Sequence, residues 1–297
     1  MSSSKLLVSI ITVTKNSGDT LGRTIESVAN QNYNSIEYII IDGNSTDGTE
    51  QIVKECRHDI DVYIRGDDNG VFSAMNKGIE HATGDYIYFL NADDYLLDNY
   101  VIYDVVDFLR KHLDCDVVYG NIEGRVTEAN RFIIKPPHPE DILRTLISGA
   151  MPHQATFASN KTFQKIGKFN ENYRSVGDYE WWLRVASESS LIKCYFDRTI
   201  ASYFLGGKSS NLDVALKEMF EVQEKAEVYQ TDYWMKERIK IFQDIIRNPN
   251  GHWGLNRQES LAPIKDSLLG RLSSKIDSTR LSNLSSKVLR KITQLFE

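Results

Sequence analysis

Two consecutive carboxylates, Asp93 and Asp94, follow the apolar run Tyr86-Ile87-Tyr88-Phe89-Leu90-Asn91-Ala92, and their type and spacing suit chemistry. The β-branched and aromatic residues from Tyr86 to Leu90 predict a buried strand, with Gly84 supplying the turn before it. In open α/β sheets the carboxyl edge of the strands forms the ligand crevice. Paired acids at that edge suit a hard divalent cation, Mg²⁺ or Mn²⁺, held by oxygen ligands. The same pair also reads as a solvated turn or a helix cap, because aspartate bonds its local backbone readily.

A second polar cluster is expected at the same edge. The loop Ile41-Asp42-Gly43-Asn44-Ser45-Thr46-Asp47-Gly48-Thr49 follows an apolar run, and Thr12, Thr14, Lys15 and Asn16 end another. An ionised carboxylate only accepts hydrogen bonds, so Asp42 suits the N3–H of a uracil or the hydroxyls of a ribose. Asp42 also reads as a helix cap, although Thr46 or Asp47 is better placed for that role, which leaves Asp42 for a ligand.

The elements that must position these groups alternate. Leu6–Val13, Ile36–Ile41, Ile60–Ile64, Tyr86–Leu90, Val117–Tyr119 and a stretch near Ile192–Phe204 read as strands. Thr20–Ala29, Thr46–Cys56, Val71–His81, Tyr100–Leu113 and Tyr179–Ser187 read as helices. Alternation of this kind predicts an α/β fold with a mainly parallel central sheet flanked by helices. The prolines at 136, 137 and 139 interrupt regular structure. From about Asn211 glycine becomes scarce and long helices are expected, so the division expected is 1–210 for the ligand-binding domain and 211–297 for a helical extension.

Four segments in order carry a family resemblance: Ser9-Ile10-Ile11-Thr12-Val13-Thr14-Lys15-Asn16, the Asp42–Thr49 loop, Asn91-Ala92-Asp93-Asp94, and Gly177-Asp178-Tyr179-Glu180-Trp181-Trp182-Leu183-Arg184. Together they resemble a family 2 glycosyltransferase over about residues 8–210, in the manner of bacterial surface-polysaccharide enzymes. The resemblance implies the GT-A fold, a nucleotide-diphosphate sugar donor, a divalent cation at the aspartate pair and inversion at the anomeric carbon. It assigns Asp94 to the metal, Asp93 to the ribose or the metal shell, Thr12, Thr14, Asn16 and Asp42 to the base and ribose, and Asp178 to the general base. The chain departs from the family pattern at Gly43, where a second aspartate often follows the first, and at Gly177, where an acidic residue is common.

Further residues join this expected site. In Arg65–Gly78, which resembles a subgroup with an Ala-Met-Asn-Lys-Gly helix start, Lys77 or Arg65 is expected near the diphosphate, and Asp68 and Asn76 near sugar or ribose hydroxyls. Lys77 also reads as a solvated helix residue. Met151-Pro152-His153-Gln154 resembles a family segment on the acceptor side, with His153 reading either as structural or as a site residue. Trp181 and Trp182 read as core, with stacking on a sugar face as the other role. Gly206-Gly207-Lys208-Ser209-Ser210 reads either as a loop that closes Lys208 over the diphosphate or as a linker.

Composition narrows the classes. Hydrophobic residues make up 41% of 297 residues and charged residues 26%, with a net charge of −6. This is the profile of a globular protein without a nucleic-acid footprint, which would need clustered Lys and Arg. Cys56, Cys115 and Cys194 are scattered and suit a reducing cytoplasm. The apolar run Leu6–Val13 is too short for a span, and no signal peptide or transmembrane helix is expected. The stretch Leu261–Glu297 has seven basic and three acidic residues, a net charge of +4, and its Leu284, Val288, Ile292 and Leu295 recur at helical spacing. Such a helix suits either the anionic inner face of a membrane or the surface of the domain or of a partner subunit, and a homo-oligomer stays open.

The expectation is therefore an inverting, metal-dependent transferase acting on a UDP-sugar and a hydroxyl of a glycan or lipid-linked acceptor. The alternatives are a non-catalytic nucleotide-sugar-binding scaffold and a nucleotidyl- or phosphotransferase.

Overall fold

The computed structural model describes residues 5–205 and 212–247. Four βα units open the chain: β1 (Val8–Thr14), α1 (Leu21–Ala29), β2 (Ile36–Asp42), α2 (Thr49–Glu55), β3 (Val62–Arg65), α3 (Val71–His81), β4 (Tyr86–Phe89), the two-residue β5 (Tyr95–Leu96) and α4 (Val101–Lys111). Next come β6 (Val117–Thr127), β7 (Asn130–Ile134), α5 (Ile142–Thr145), β8 (Thr156–Ser159), α6 (Asn160–Ile166), α7 (Gly177–Ser187) and β9 (Lys193–Phe204). The described remainder is α8 (Leu212–Lys225) and α9 (Asp232–Arg247).

The strands form one sheet in the order β3-β2-β1-β4-β8-β6-β9-β5, with β7 paired to β6. The first half is parallel, as the βα alternation requires: β1 lies between β2 and β4, and β2 pairs β3. The chain leaves β1 for β2 on one side and later returns to β4 on the other. A topological switch point, where α/β sheets open a crevice, therefore lies between the carboxyl ends of β1 and β4. The helices cover the sheet with spaced apolar residues. In α1 these are Leu21, Ile25 and Val28, and in α4 Val101, Ile102, Val105, Val106 and Leu109, all buried.

The sheet is mixed, where a mainly parallel one was expected. β8, a four-residue strand missing from the expected elements, is inserted antiparallel between β4 and β6. Its sequence Thr-Phe-Ala-Ser is short and buried along its whole length, so it lacks the alternation that marks a half-exposed strand. β6 also runs eight residues past the expected Val117–Tyr119 and turns back into β7.

Registers then fix what meets what. β8 runs opposite to β4 with Tyr88 facing Phe157, their rings stacked at 4.2 Å, so the residues before β8 lie beside those after β4. β5 runs opposite to β9 with Tyr95 facing Ser202, which brings Tyr203 and Phe204 beside Asp93 and Asp94. β6 and β9 are parallel with Arg125 opposite Phe204, which adds Arg125 to the same corner.

The chain divides into two compact units. One comprises residues up to 143 with 151–210, and the other comprises 144–150 with the chain from 211 on. The sequence expectation placed 144–150 in the first domain. Within the second unit the Gln223 side-chain amide donates to the carbonyls of Leu146 and Ile147, and Arg144 pairs with Glu237 at 2.7 Å, which explains the grouping. The apolar stripe Leu284, Val288, Ile292 and Leu295 with its basic neighbours, and Lys208, lie outside the described residues. Among the described residues no helix is long and apolar enough to cross a membrane.

Candidate active site

The aspartate pair sits on a tight turn after β4, closed by a hydrogen bond from the Asp94 N–H to the Asn91 carbonyl at 3.1 Å. Two neighbours clamp its backbone from outside. Arg125 Nη2 donates to the Asp93 carbonyl at 2.9 Å, and Thr24 Oγ1 donates to the Asp94 carbonyl at 2.7 Å. Asp94 is 1% exposed. Its Oδ1 accepts the Phe204 N–H at 3.0 Å, and its Oδ2 has no partner among the described residues. Burial, then the nearby Asp93 charge, pushes its carboxyl up to about 7, and Phe204, His153 and Arg125 only partly offset this. A buried carboxylate oxygen without a donor is costly in this state, and a cation would relieve it.

Asp178 opens α7, and Gly177 before it is explained by packing. A Cβ at 177 would lie 2.7 Å from the Phe72 ring of α3, so the acidic residue common at this position has no room. Asp178 Oδ2 accepts from His153 Nδ1 at 2.9 Å, and His153 Nε2 lies 3.3 Å from Asn91 Nδ2. The His153 and Asp178 side chains are 19% and 20% exposed, so the pair is held by protein and open on one side. The pair borders a cavity of about 20 Å³, lined also by Thr156, Trp181, Trp182 and apolar side chains. It has room for about one water. The indole N–H groups of both tryptophans lack partners among the described residues.

Tyr203 completes this corner. Burial first, then the charges of Asp94, Asp178 and Asp93, raise its hydroxyl to about 12, so it is a protonated donor near three carboxylates.

At the ends of β1, β2 and β3 the register aligns Thr14, Asp42 and Arg65. Several residues expected at a ligand are engaged by the protein itself here. Asp42 is fully buried: Oδ1 accepts from the Ser45 N–H and hydroxyl, and Oδ2 from the Tyr63 hydroxyl at 2.9 Å. Its carboxylate shapes the loop. The N-cap position of α2 is Gly48, where Thr46 or Asp47 was expected, and Asp47 beside it accepts from the N–H and hydroxyl of Thr49. Thr12 is buried against the Tyr38 hydroxyl at 3.1 Å, as core. Arg65 spends its guanidinium on Glu50 and the Ser45 carbonyl. Asn76 binds the N–H and C=O of Phe169 and the Glu171 carboxylate, tying α3 to the loop before α7, so it is not turned to a sugar. Lys77 donates to the Asp67 carbonyl. Trp181 is 3% exposed and stacked on Phe163 at 5.0 Å, which removes it as a sugar platform.

Three expected residues stand at or just past the carboxyl ends of β1 and β3. The Thr14 hydroxyl is buried without a partner among the described residues. Asn16, exposed and in the left-handed region at φ 54°, crosses from β1 to the β2 loop, its Oδ1 accepting from the Thr46 N–H. Asp68 holds the Gly70 N–H through Oδ1, and its Oδ2 lies against Gly43, where a Cβ would collide with it. The carboxylate missing at 43 is thus replaced in space by that of Asp68.

Sequence reasoning missed Arg125, Asn91 as a donor, and Tyr203. Asn91 stood in the motif itself, whereas Arg125 and Tyr203 reach the site only through β6–β9 and β5–β9 register.

Comparisons agree with this geometry. The family model described as glycosyl transferase family 2 matches residues 9–171, which covers the crevice and ends before Asp178. A PGL/p-HBAD biosynthesis glycosyltransferase of Mycobacterium bovis is 32% identical over 208 residues, covering 69% of this chain and 79% of that protein. An uncharacterized glycosyltransferase of Mycobacterium tuberculosis is 33% identical over 200 residues, covering 65% and 75%. Among solved structures, S. aureus TarS 1-349 in complex with UDP-GlcNAc superposes with a TM-score of 0.64 at 18% identity over 83% of this chain and 75% of that one. The mannosyltransferase PcManGT from Pyrobaculum calidifontis, in complex with GDP-Man and Mn²⁺, does so with a TM-score of 0.58 at 14% identity, covering 75% and 65%. The fold is the GT-A arrangement that the sequence implied. With a family match over more than half its length and a named relative aligned across most of that relative's own chain, this protein belongs to glycosyl transferase family 2 and is a glycosyltransferase.

Proposed function

We propose that the chain is an inverting glycosyltransferase that moves a sugar from a nucleotide-diphosphate donor, a UDP-sugar, to a hydroxyl of a glycan or lipid-linked acceptor. The observation that carries this is the pairing of two differently held carboxylates at one sheet edge: Asp94, buried with an unsatisfied oxygen, and Asp178, accessible and held by His153.

Asp178 is the general base. Among the described residues no group bonds its Oδ1, so that oxygen is available to an acceptor hydroxyl. Acceptor oxygen forms a bond to the anomeric carbon as the bond from that carbon to the phosphate oxygen breaks. The hydroxyl proton passes to Asp178, and the electron pair leaves on the nucleoside diphosphate from the opposite face. Thr14, Asn16 and Asp68 line the base and ribose side, while Arg125 and Tyr203 supply a cation and a hydroxyl donor near Asp93 and Asp94.

Asp93 and Asp94 are the residues that would hold Mg²⁺ or Mn²⁺. The described residues contain no cluster of three or more His, Cys, Asp or Glu to complete an all-protein site, so remaining ligands would come from the diphosphate and water. When bound, the cation supplies charge neutralisation on the leaving group. A role in surface polysaccharide synthesis at the inner membrane face is supported by the apolar stripe Leu284, Val288, Ile292 and Leu295 with Lys287, Arg290 and Lys291 beside it.

The test is a panel of UDP-, GDP- and TDP-sugars with and without Mn²⁺, read as thermal shift and as nucleoside diphosphate released, for the parent and for Asp178→Asn. Release in the parent, with loss of at least 100-fold in the variant and an unchanged thermal shift, is expected for a base. Parent-like turnover in Asp178→Asn sinks the assignment, and release of sugar 1-phosphate in place of nucleoside diphosphate, with the nucleoside monophosphate carried to the acceptor, favours nucleotidyl transfer.

A further inference from the structure

We infer that Asn91 and His153 form a two-residue relay that sets the rotation of the Asp178 carboxylate and couples it to the turn bearing Asp93 and Asp94. This rests on Asp178 being the base. The contact order is fixed by chemistry as well as by distance. An ionised carboxylate only accepts, so the His153 Nδ1 at 2.9 Å from Asp178 Oδ2 must carry a proton. In the neutral ring Nε2 is then an acceptor, and the group beside it at 3.3 Å is the Asn91 amide, which supplies an N–H. The bonds run in one direction: Asn91 to His153 to Asp178.

The relay is mounted rigidly. His153 follows Pro152 and begins a single helical turn, residues 153–155, that leads into β8. The turn is tied by Thr156 Oγ1 to the Pro152 carbonyl at 2.7 Å and by the Tyr88 hydroxyl to the Gln154 carbonyl at 2.7 Å. At the other end Asn91 opens the turn that the Asp94 N–H closes. The antiparallel β4–β8 register is what places residues before β8 beside residues after β4. With Oδ2 engaged by His153, the carboxylate cannot rotate without losing that bond, and Oδ1 stays turned to the open side. His153 and Asn91 are therefore positioning residues. Their loss lowers the rate at which a bound donor reacts more than it weakens donor binding.

The experiment measures donor hydrolysis, with water as acceptor, on UDP-N-acetylglucosamine, UDP-glucose and GDP-mannose in the full chain. His153→Ala is expected to lower kcat about 30- to 100-fold with donor KM within about twofold. His153→Asn keeps an N–H at the place of Nδ1 and is expected to recover to within about fivefold of the parent, whereas His153→Gln, whose amide falls at the place of Nε2, stays low. Asn91→Ala should cost about five- to tenfold alone and little more when added to His153→Ala, because the two act through one path. Equal rescue by Gln and Asn, additive losses, or an unchanged kcat in His153→Ala overturns the relay. Asp178→Asn is run alongside. An inactive Asp178→Asn with a parent-like His153→Ala refutes the relay alone, and an active Asp178→Asn refutes the base and the relay with it. If His153→Ala does not fold, the Asn and Gln variants and Asn91→Ala still decide.

Discussion

Replacing Asp94 with Asn should stabilise the ligand-free protein while removing its divalent-dependent nucleotide binding. In the folded chain the Asp94 carboxyl is raised from an ordinary 3.8 to about 7 by burial and by Asp93. An acid that holds its proton more tightly in the folded state supports folding fully below pH 3.8, and that support is lost as pH rises through 7. Between those values the unfolded chain has released the proton and the folded one has not, so stability falls by about 1.4 kcal/mol per pH unit, about 4 kcal/mol across the window. Above pH 7 the penalty is constant. Asparagine has the shape of the protonated acid, keeps an oxygen for the Phe204 N–H and cannot ionise. Urea unfolding in EDTA at pH 4, 6 and 8 reads the effect. The variant should match the parent within about 0.5 kcal/mol at pH 4 and exceed it by at least about 2 kcal/mol at pH 8. Parallel stability curves for the two proteins over this range would refute the claim that a strained buried charge is kept there for a ligand.

Two further substitutions separate fold from site. Asn76→Ala removes bonds to Phe169 N–H, Phe169 C=O and Glu171, and leaves the buried backbone of Phe169 unpaired, so unfolding stability should drop by about 3 kcal/mol. Nucleotide affinity of the folded fraction, measured by calorimetry, should stay within twofold, and a selective loss of affinity would restore the ligand role that the hydrogen bonds deny. Gly177→Ala would gain about 1 kcal/mol of helix propensity but sets a methyl 2.7 Å from the Phe72 ring, and the clash wins by about 1–2 kcal/mol. The variant should also lose kcat because the start of α7 carries Asp178, and a more stable, fully active protein would show that this contact is slack.

The parts of the fold that were legible in the sequence are those written in local terms. Val8–Thr14 and Ile36–Asp42 are long β-branched runs, and α1 and α4 show apolar residues at helical spacing, so each element declares itself without its neighbours. The Asp93–Asp94 turn was legible for the same reason, since its strand and its acids are contiguous. β8 was not, because four buried residues of mixed type have no period, and without β8 nothing predicts that His153 meets Asn91. The protein partners of Asp42 and Asn76 were not legible for a different reason. Both were judged by the ligand groups they could bind, but a polar side chain on a strand end or helix face is claimed first by whichever unpaired backbone lies within reach. For Asp42 that is Ser45, three residues on, and for Asn76 it is Phe169, far along the chain.

The same competition explains why Asp94 and Asp178 stand out once the structure is known. Among the other expected acids and amides at the crevice, Asp42 is taken up by Ser45 and Tyr63, Asn76 by Phe169, and Asp68 holds Gly70 through one of its two oxygens. Asp94 Oδ2 is buried and unanswered, and Asp178 is answered on one oxygen only. A buried acceptor left unanswered, as Asp94 Oδ2 is, costs stability, and selection for folding alone would remove it. The proposed meeting place of donor and acceptor therefore rests on the buried, unanswered Asp94 oxygen beside Arg125 and on the open Asp178 oxygen whose partner is held by His153, more than on the mere presence of an acidic residue in a motif.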